Sequence, residues 1–238
     1  MLGYSVIFDG SEECVERVRR LSPMMGIEVS VTPKYLEEAS LVELVEPLAG
    51  EAEVLSFRVL GNPGENVEKA LIATDELGAK YLSISIDENG LEETARNMDE
   101  MFRLGAIYSK YIVLEPRGEY LNATASKLHD YIGGVFKLSI YPSPSYSTDD
   151  FTSLSLSYLG LLRIARLANF TPDGRPVRVT SRKGVINYFT VIKRLVQSGY
   201  EGLFIIDYEG FGLNLSLDVV KRDFSLLDQY LYSIIEKL

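Results

Sequence analysis

The chain has 238 residues, of which 46% are hydrophobic and 24% are charged, so it is long enough to bury a sizeable core. Its formal net charge of −10 at pH 7 argues against a nucleic-acid partner or an anionic membrane surface, because phosphate recognition needs a basic face. A single cysteine excludes an intrachain disulfide, the first residues lack a leader pattern, and no apolar run reaches ~18 residues, so we expect a cytoplasmic protein that does not span a membrane.

Strand patterns and helix patterns alternate eight times along the chain. Each predicted strand is a short apolar run closed by turn-forming residues, and each predicted helix has an apolar face. In chain order, the predicted strands cover residues 4–8, 27–32, 54–60, 81–86, 111–114, 135–141, 162–168 and 203–206. The predicted helices cover residues 12–21, 36–48, 66–77, 91–104, 123–132, 150–159, 183–198 and 217–236.

Eight such units without a break in composition predict an α/β fold, a single (βα)8 TIM barrel formed by residues 1–238. The alternative is an open, doubly wound sheet. That fold normally carries a glycine-rich first turn, and the turn at residues 9–11 has the sequence Asp-Gly-Ser.

Several predicted strands alternate apolar with polar residues, and successive strand residues point to opposite faces. The apolar set should pack against the helices, so the polar set should point into the lumen. Buried charges need partners, which leaves two interpretations, a structural ion-pair network or a binding site. The charged residues expected in the lumen are Glu28, Arg58, Asp87, Glu115, Arg117, Lys137, Asp207 and Glu209.

Three segments form a recognisable set: Leu114-Glu115-Pro116 after the fifth strand, residues 199–209 (GYEGLFIIDYE) at the last strand and residues 219–227 (VVKRDFSLL) in the last helix. They resemble segments of the xylose isomerase-like barrel superfamily of sugar isomerases and epimerases, which also includes the endonuclease IV type of repair enzyme. The resemblance implies a TIM barrel that acts on a small polar carbohydrate. It also implies a divalent metal held by two acids, an Asp on strand six and a His on strand seven.

The metal site implied by this resemblance is incomplete in the sequence. Glu115 and Asp207 match the two acids, but no acid lies near the end of strand six, and Arg166 stands near the expected histidine. The only histidine, His129, falls on a predicted helix. We therefore expect no cofactor, or at most weak Mg²⁺ or Mn²⁺ binding by the two acids. A cationic side chain, Lys137 or Arg166, is expected to neutralise them instead.

The resemblance and the charge pattern together suggest an isomerase or epimerase that works by proton transfer. Glu115 and Asp207 would be the acid/base pair, and Lys137 or Arg117 would polarise the carbonyl oxygen of the substrate. The expected substrate is a small polar or anionic molecule, and an anion would fit the helix start predicted at residue 183. The predicted substrate-binding residues are Arg58, Arg117, Arg166, Glu209, Ser181, Arg182 and Lys183.

Two alternatives remain open from the sequence. Residues 134–139 faintly resemble the strand-six lysine segment of class I aldolases and type I dehydroquinate dehydratases, so Lys137 could form a Schiff base. The missing metal ligands equally suit a non-catalytic barrel that binds a metabolite. The sequence predicts no oligomeric state.

Overall fold

Eight parallel strands close into a barrel in the computed structural model, which describes residues 1–86, 91–116 and 136–237. The prediction of a single (βα)8 TIM barrel is confirmed. The barrel strands are β1 (Leu2–Ile7), β2 (Gly26–Val31), β3 (Val54–Val59), β4 (Tyr81–Ile86), β5 (Tyr111–Pro116), β6 (Lys137–Ile140), β7 (Leu162–Leu167) and β10 (Leu203–Ile206). Their order around the barrel is β1-β10-β7-β6-β5-β4-β3-β2, and β2 pairs with β1. The short strands β8 (Asn169–Phe170) and β9 (Pro176–Val177) form an antiparallel pair after β7.

Helices follow the strands and cover the outside of the barrel. They are α1 (Glu12–Leu21), α2 (Pro33–Glu38), α3 (Leu41–Val45), α4 (Val67–Glu76), α5 (Leu91–Ile107), α6 (Thr148–Ser157), α7 (Tyr188–Gln197) and α8 (Leu217–Ile235). The helix predicted at residues 123–132, with His129, lies outside the described residues. No helix in the described parts of the chain is long and apolar enough to cross a membrane.

Two predicted helices differ from the structure, in both cases because of a capping residue. The helix predicted at residues 36–48 is divided, because Ser40 caps a new helix in a reciprocal capping box with Glu43. The helix predicted at residues 183–198 begins only at Tyr188, where the side chain of Asn187 accepts the N–H of Thr190 at 3.3 Å.

The lumen has an apolar floor near the amino ends of the strands. This floor, which we call the apolar plug, is built from Leu55, Tyr81, Val113, Ile164, Leu203 and Ile205. Glycines make room for it: a Cβ on Gly26 would lie 2.5 Å from the side chain of Leu55, and a Cβ on Gly3 would lie 2.7 Å from it. The expectation of a polar lumen therefore holds only on the carboxyl side of this plug.

Candidate functional site

Five charged side chains meet in the lumen on the carboxyl side of the apolar plug, and each exposes 0% of its surface to solvent. Their ion pairs show that they form one connected group. Arg58 pairs with Glu115 and Asp207. Arg166 pairs with Glu115 and Glu28. We call this group the lumen charge cluster, and its members are Glu28, Arg58, Glu115, Arg166 and Asp207.

Arg58 bridges two carboxylates that come from opposite parts of the chain. Its Nη1 donates to Oδ2 of Asp207 at 2.7 Å, and its Nη2 donates to Oε1 of Glu115. Burial alone would lower the pKa of Arg58, but the nearby carboxylates outweigh burial and raise that pKa. The guanidinium is therefore a permanent cation between the two acids.

Arg166 holds the other side of the cluster with a similar fork. Its Nη1 and Nη2 donate to the two carboxylate oxygens of Glu28 at 2.5 and 3.1 Å, and its Nε donates to Oε2 of Glu115. Such bidentate pairs are among the strongest hydrogen bonds in proteins. Burial and the charge of Arg58 oppose protonation of Arg166, yet Glu115 and Glu28 raise its pKa above the ordinary value.

Glu115 lies at the centre of the cluster and is surrounded by donors. Oε1 accepts from Arg58 and, at 2.8 Å, from the hydroxyl of Ser85. Oε2 accepts from Arg166 and, at 3.0 Å, from the hydroxyl of Ser139. A carboxylate has about four lone-pair sites, and four donors fill them. Both oxygens of Glu115 are thus occupied by donors, which leaves no acceptor site for a substrate proton.

Asp207 follows β10 and is positioned by the turn after it. Its Oδ1 accepts the backbone N–H of Gly210 at 2.8 Å, while Oδ2 accepts from Arg58. Any residue larger than glycine at position 210 would clash with this carboxylate, because a Cβ there would lie 2.5 Å from Oδ1 of Asp207. The turn and the guanidinium together fix the carboxylate in one orientation.

An aromatic side chain, Tyr141, lies over Arg58 at the carboxyl end of the barrel. The ring of Tyr141 is 5.7 Å from Cζ of Arg58 and stacks on Phe211 with ring centroids 4.4 Å apart. Phe170 packs edge-on against Phe211 at 5.1 Å. Tyr141 and Phe211 are both partly exposed. We call these two stacked rings the aromatic pair; the sequence analysis did not single it out, although Tyr141 follows Ser139 on the inward side of β6.

Glu209 was predicted to bind substrate, and the structure places its carboxylate against β1 and α1. The carboxylate accepts the N–H of Ile7 at 2.9 Å and pairs with Arg17 of α1 at 2.8 Å. It also lies 3.5 Å from the hydroxyl of Tyr4. These contacts tie β1 and α1 to the turn after β10, which is a structural role. Burial raises the pKa of Glu209 despite the opposing effects of Ile7 and Arg17.

Lys137 was expected beside the two acids, and the structure does not bring it there. It is the first residue of β6 and pairs in register with Val113 of the apolar plug. Among the described residues it forms no hydrogen bond or ion pair with Glu115 or Asp207. Burial and the charge of Arg163 lower its pKa. The cation predicted beside the acids, Lys137 or Arg166, is instead the pair Arg58 and Arg166.

The remaining predicted residues lie apart from the cluster or outside the described chain. Ser181, Arg182 and Lys183 form a turn before α7, and the N–H of Lys183 bonds the hydroxyl of Ser181 at 3.2 Å. Because the helix begins only at Tyr188, residue 183 does not offer the free N–H groups of a helix N-terminus, on which the predicted anion site depended. Arg117 and Asp87 lie outside the described residues.

The residues present do not fit the divalent metal that the sequence resemblance implied. No group of three or more His, Cys, Asp or Glu side chains suited to a metal occurs within residues 1–86, 91–116 and 136–237. The guanidinium of Arg58 occupies the space between Glu115 and Asp207, and it uses an oxygen of each. At the position expected for histidine, Arg166 is bound to Glu115 and Glu28.

The comparisons with known proteins concern structure alone. The sequence matches no protein-family model and no curated protein sequence. A xylose isomerase-like TIM barrel protein from Mycobacterium smegmatis, in complex with magnesium, is 14% identical with a TM-score of 0.69, covering 93% of this chain and 88% of that one. A xylose isomerase domain protein from Planctomyces limnophilus is 12% identical with a TM-score of 0.66, covering 99% and 96%.

A third solved structure, the IOLI protein with a bound zinc atom, is 13% identical with a TM-score of 0.59, covering 99% of this chain and 98% of that chain. Identities this low establish likeness of fold. The chain therefore has a TIM-barrel fold, which is similar to the folds of these proteins over nearly its whole length.

Proposed function

We propose that this chain binds a small polar carbohydrate at the carboxyl end of the barrel, as a binding protein rather than through acid/base chemistry at Glu115. The observation that carries the proposal is the aromatic pair, Tyr141 and Phe211, partly exposed above the buried Arg58. Ligand sites typically combine aromatic surface with a few placed polar groups. This end of a TIM barrel is where such sites are found.

The lumen charge cluster supports a binding role over proton transfer. Four donors already surround Glu115, so it would have to break a buried hydrogen bond to accept a proton. Arg58 keeps one unused group, because its buried Nε has no hydrogen-bond partner among the residues that the structure describes. A hydroxyl oxygen of a neutral sugar is the type of acceptor that this N–H lacks.

The charges of the cluster also favour a neutral ligand over the anion considered from the sequence. Its three carboxylates outnumber its two guanidiniums, and both guanidiniums are bound to those carboxylates. A phosphate or carboxylate on the ligand would gain no unshared cation from these five residues. A neutral aldose, ketose or polyol avoids that repulsion.

The test is a thermal-shift screen of neutral aldoses, ketoses and polyols beside their phosphorylated forms, since a ligand of the native state raises the Tm. We expect a concentration-dependent rise with a neutral compound, and its loss in Tyr141→Ala. Tyr111→Ala is the matched control, because Tyr111 is an exposed tyrosine at the opposite end of the barrel. A rise that persists in Tyr141→Ala, or no rise with any compound, would refute the proposal.

Proton transfer in an isomerase or epimerase is the second candidate, and Asp207 is the observation that favours it. Asp207 accepts hydrogen bonds from Arg58 and from Gly210, which leaves it more acceptor capacity than Glu115. The adjacent Arg58 guanidinium would stabilise an enolate oxygen. Incubation of a responding sugar in D2O would then exchange the proton next to its carbonyl, and Asp207→Asn would stop the exchange. No exchange in the wild-type protein rules this candidate out.

The Schiff-base alternative receives no support from the geometry. Lys137 lies level with Val113 in the apolar plug, at the amino end of β6, whereas the aromatic pair lies at the carboxyl end.

A further inference from the structure

Two buried acids in a barrel need a cation between them. Glu115 and Asp207 expose no surface to solvent, and uncompensated buried carboxylates are strongly destabilising. A divalent metal is one solution to this problem, and a guanidinium is another. Arg58 supplies the second, since it donates separate N–H groups to the two carboxylates.

We propose that Arg58 serves as the built-in cation of this barrel and hides a latent site for a hard divalent ion. Its removal would free Oε1 of Glu115 and Oδ2 of Asp207, the two oxygens that its guanidinium now binds. The hydroxyl of Ser85 lies 2.8 Å from the same Glu115 oxygen and adds a third oxygen. Carboxylate, hydroxyl and water oxygens are the ligands that suit Mg²⁺ and Mn²⁺.

The second arginine explains why a single substitution suffices. Arg166 binds the other oxygen of Glu115 and both oxygens of Glu28, so these contacts remain when Arg58 is changed. The turn N–H of Gly210 likewise keeps Oδ1 of Asp207 in place. The two freed oxygens therefore keep their orientation toward the space that the guanidinium left.

The experiment compares Mn²⁺ binding by the wild-type protein, Arg58→Met, and Arg58→Met combined with Asp207→Asn. Each protein is stripped with chelator, dialysed against MnCl2 and analysed for bound manganese. We expect stoichiometric Mn²⁺ only in Arg58→Met, with a Tm that rises with Mn²⁺ concentration, and loss of both effects in the double variant. Arg17→Met is the matched control, because Arg17 is paired with a partly buried acid, Glu209, away from the cluster.

Two results would overturn the proposal. The first is that the wild-type protein binds Mn²⁺ stoichiometrically and the Asp207→Asn variant does not, which would show that the Arg58 guanidinium does not take the place of a metal. A folded Arg58→Met protein that binds no Mn²⁺ would show that the freed oxygens do not form a site. If Arg58→Met folds only when Mn²⁺ is present during refolding, the proposal is supported; if it folds under neither condition, the proposal is rejected, because the metal then fails to replace Arg58. These outcomes do not depend on whether the aromatic pair binds a sugar.

Discussion

Replacement of Glu115 by glutamine tests whether the lumen charge cluster stabilises the barrel. The wild-type carboxylate accepts from two guanidiniums and two hydroxyls inside a lumen that excludes solvent. A glutamine keeps one oxygen, but its NH2 group must face a donor, so one guanidinium contact is lost. Two guanidiniums would then share the charges of Glu28 and Asp207 alone.

The magnitude follows from the cost of removing one partner of a buried ion pair, about 3–5 kcal/mol. For a chain of this length, that corresponds to a Tm lower by roughly 6–20 °C. The assay is urea unfolding followed by circular dichroism, with a thermal scan of the same samples. Glu51→Gln is the control, because Glu51 pairs with Arg19 at the surface at 3.2 Å and its loss should change the free energy of unfolding by less than about 0.5 kcal/mol.

A double-mutant cycle shows whether the loss comes from the pair. Arg58→Met should also destabilise the protein, and the double variant with Glu115→Gln should lose less than the sum of the two single changes. A loss below about 1 kcal/mol for Glu115→Gln would contradict the reasoning, since that is no more than one ordinary hydrogen bond contributes. Strict additivity would equally show that the two side chains do not depend on each other.

Two further predictions concern the turn after β10. Gly210→Ala should destabilise the protein by about 1–3 kcal/mol, because the new Cβ meets Asp207. Gly160→Ala is the control and should be nearly neutral in the same unfolding assay, because a Cβ has open space at that position. Equal effects of the two substitutions would be evidence against the steric argument. Burial raises the pKa of Glu209, so the folded state favours its protonated form. The contribution of Glu209 to the free energy of unfolding is therefore largest below the ordinary glutamate pKa, and it declines as the pH rises through the raised pKa of the folded state. The stability of the wild-type protein relative to Glu209→Gln should therefore fall from about pH 4 to pH 7, while a rise would mean that the ion pair with Arg17 dominates.

The fold and much of the candidate site were predictable from local patterns. The eightfold alternation of strand and helix predicted the barrel, and the inward position of Glu28, Arg58, Glu115 and Asp207 followed from the period of two along each strand. The sequence also indicated that Arg166, a cation, lies near the position where the resemblance implies a metal-binding histidine. The inward positions use residues within one strand, where side-chain direction is set by backbone geometry, whereas the significance of Arg166 came from the family resemblance.

Contacts between distant segments could not be predicted in the same way. Arg58 and Asp207 are 149 residues apart, and their contact depends on the closure of the barrel. Glu209 points toward Arg17 because it begins a 3-10 turn after β10, where the alternation of a strand no longer sets the side-chain direction. Lys137 is inward by parity, but it is the first residue of β6, and the β6 side chain that reaches Glu115 is that of Ser139, further along the strand.

The order of residues alone thus determined that Glu28, Arg58, Glu115 and Asp207 line the lumen and that their charges had to be neutralised inside it, because strand parity and the energy of a buried charge are local properties. Only the tertiary structure decided which cation meets which acid, since eight strand registers and the closure of the barrel set those distances. It also decided that Tyr141, which lies over Arg58, stacks on Phe211, because these two rings follow strands that are far apart in the chain.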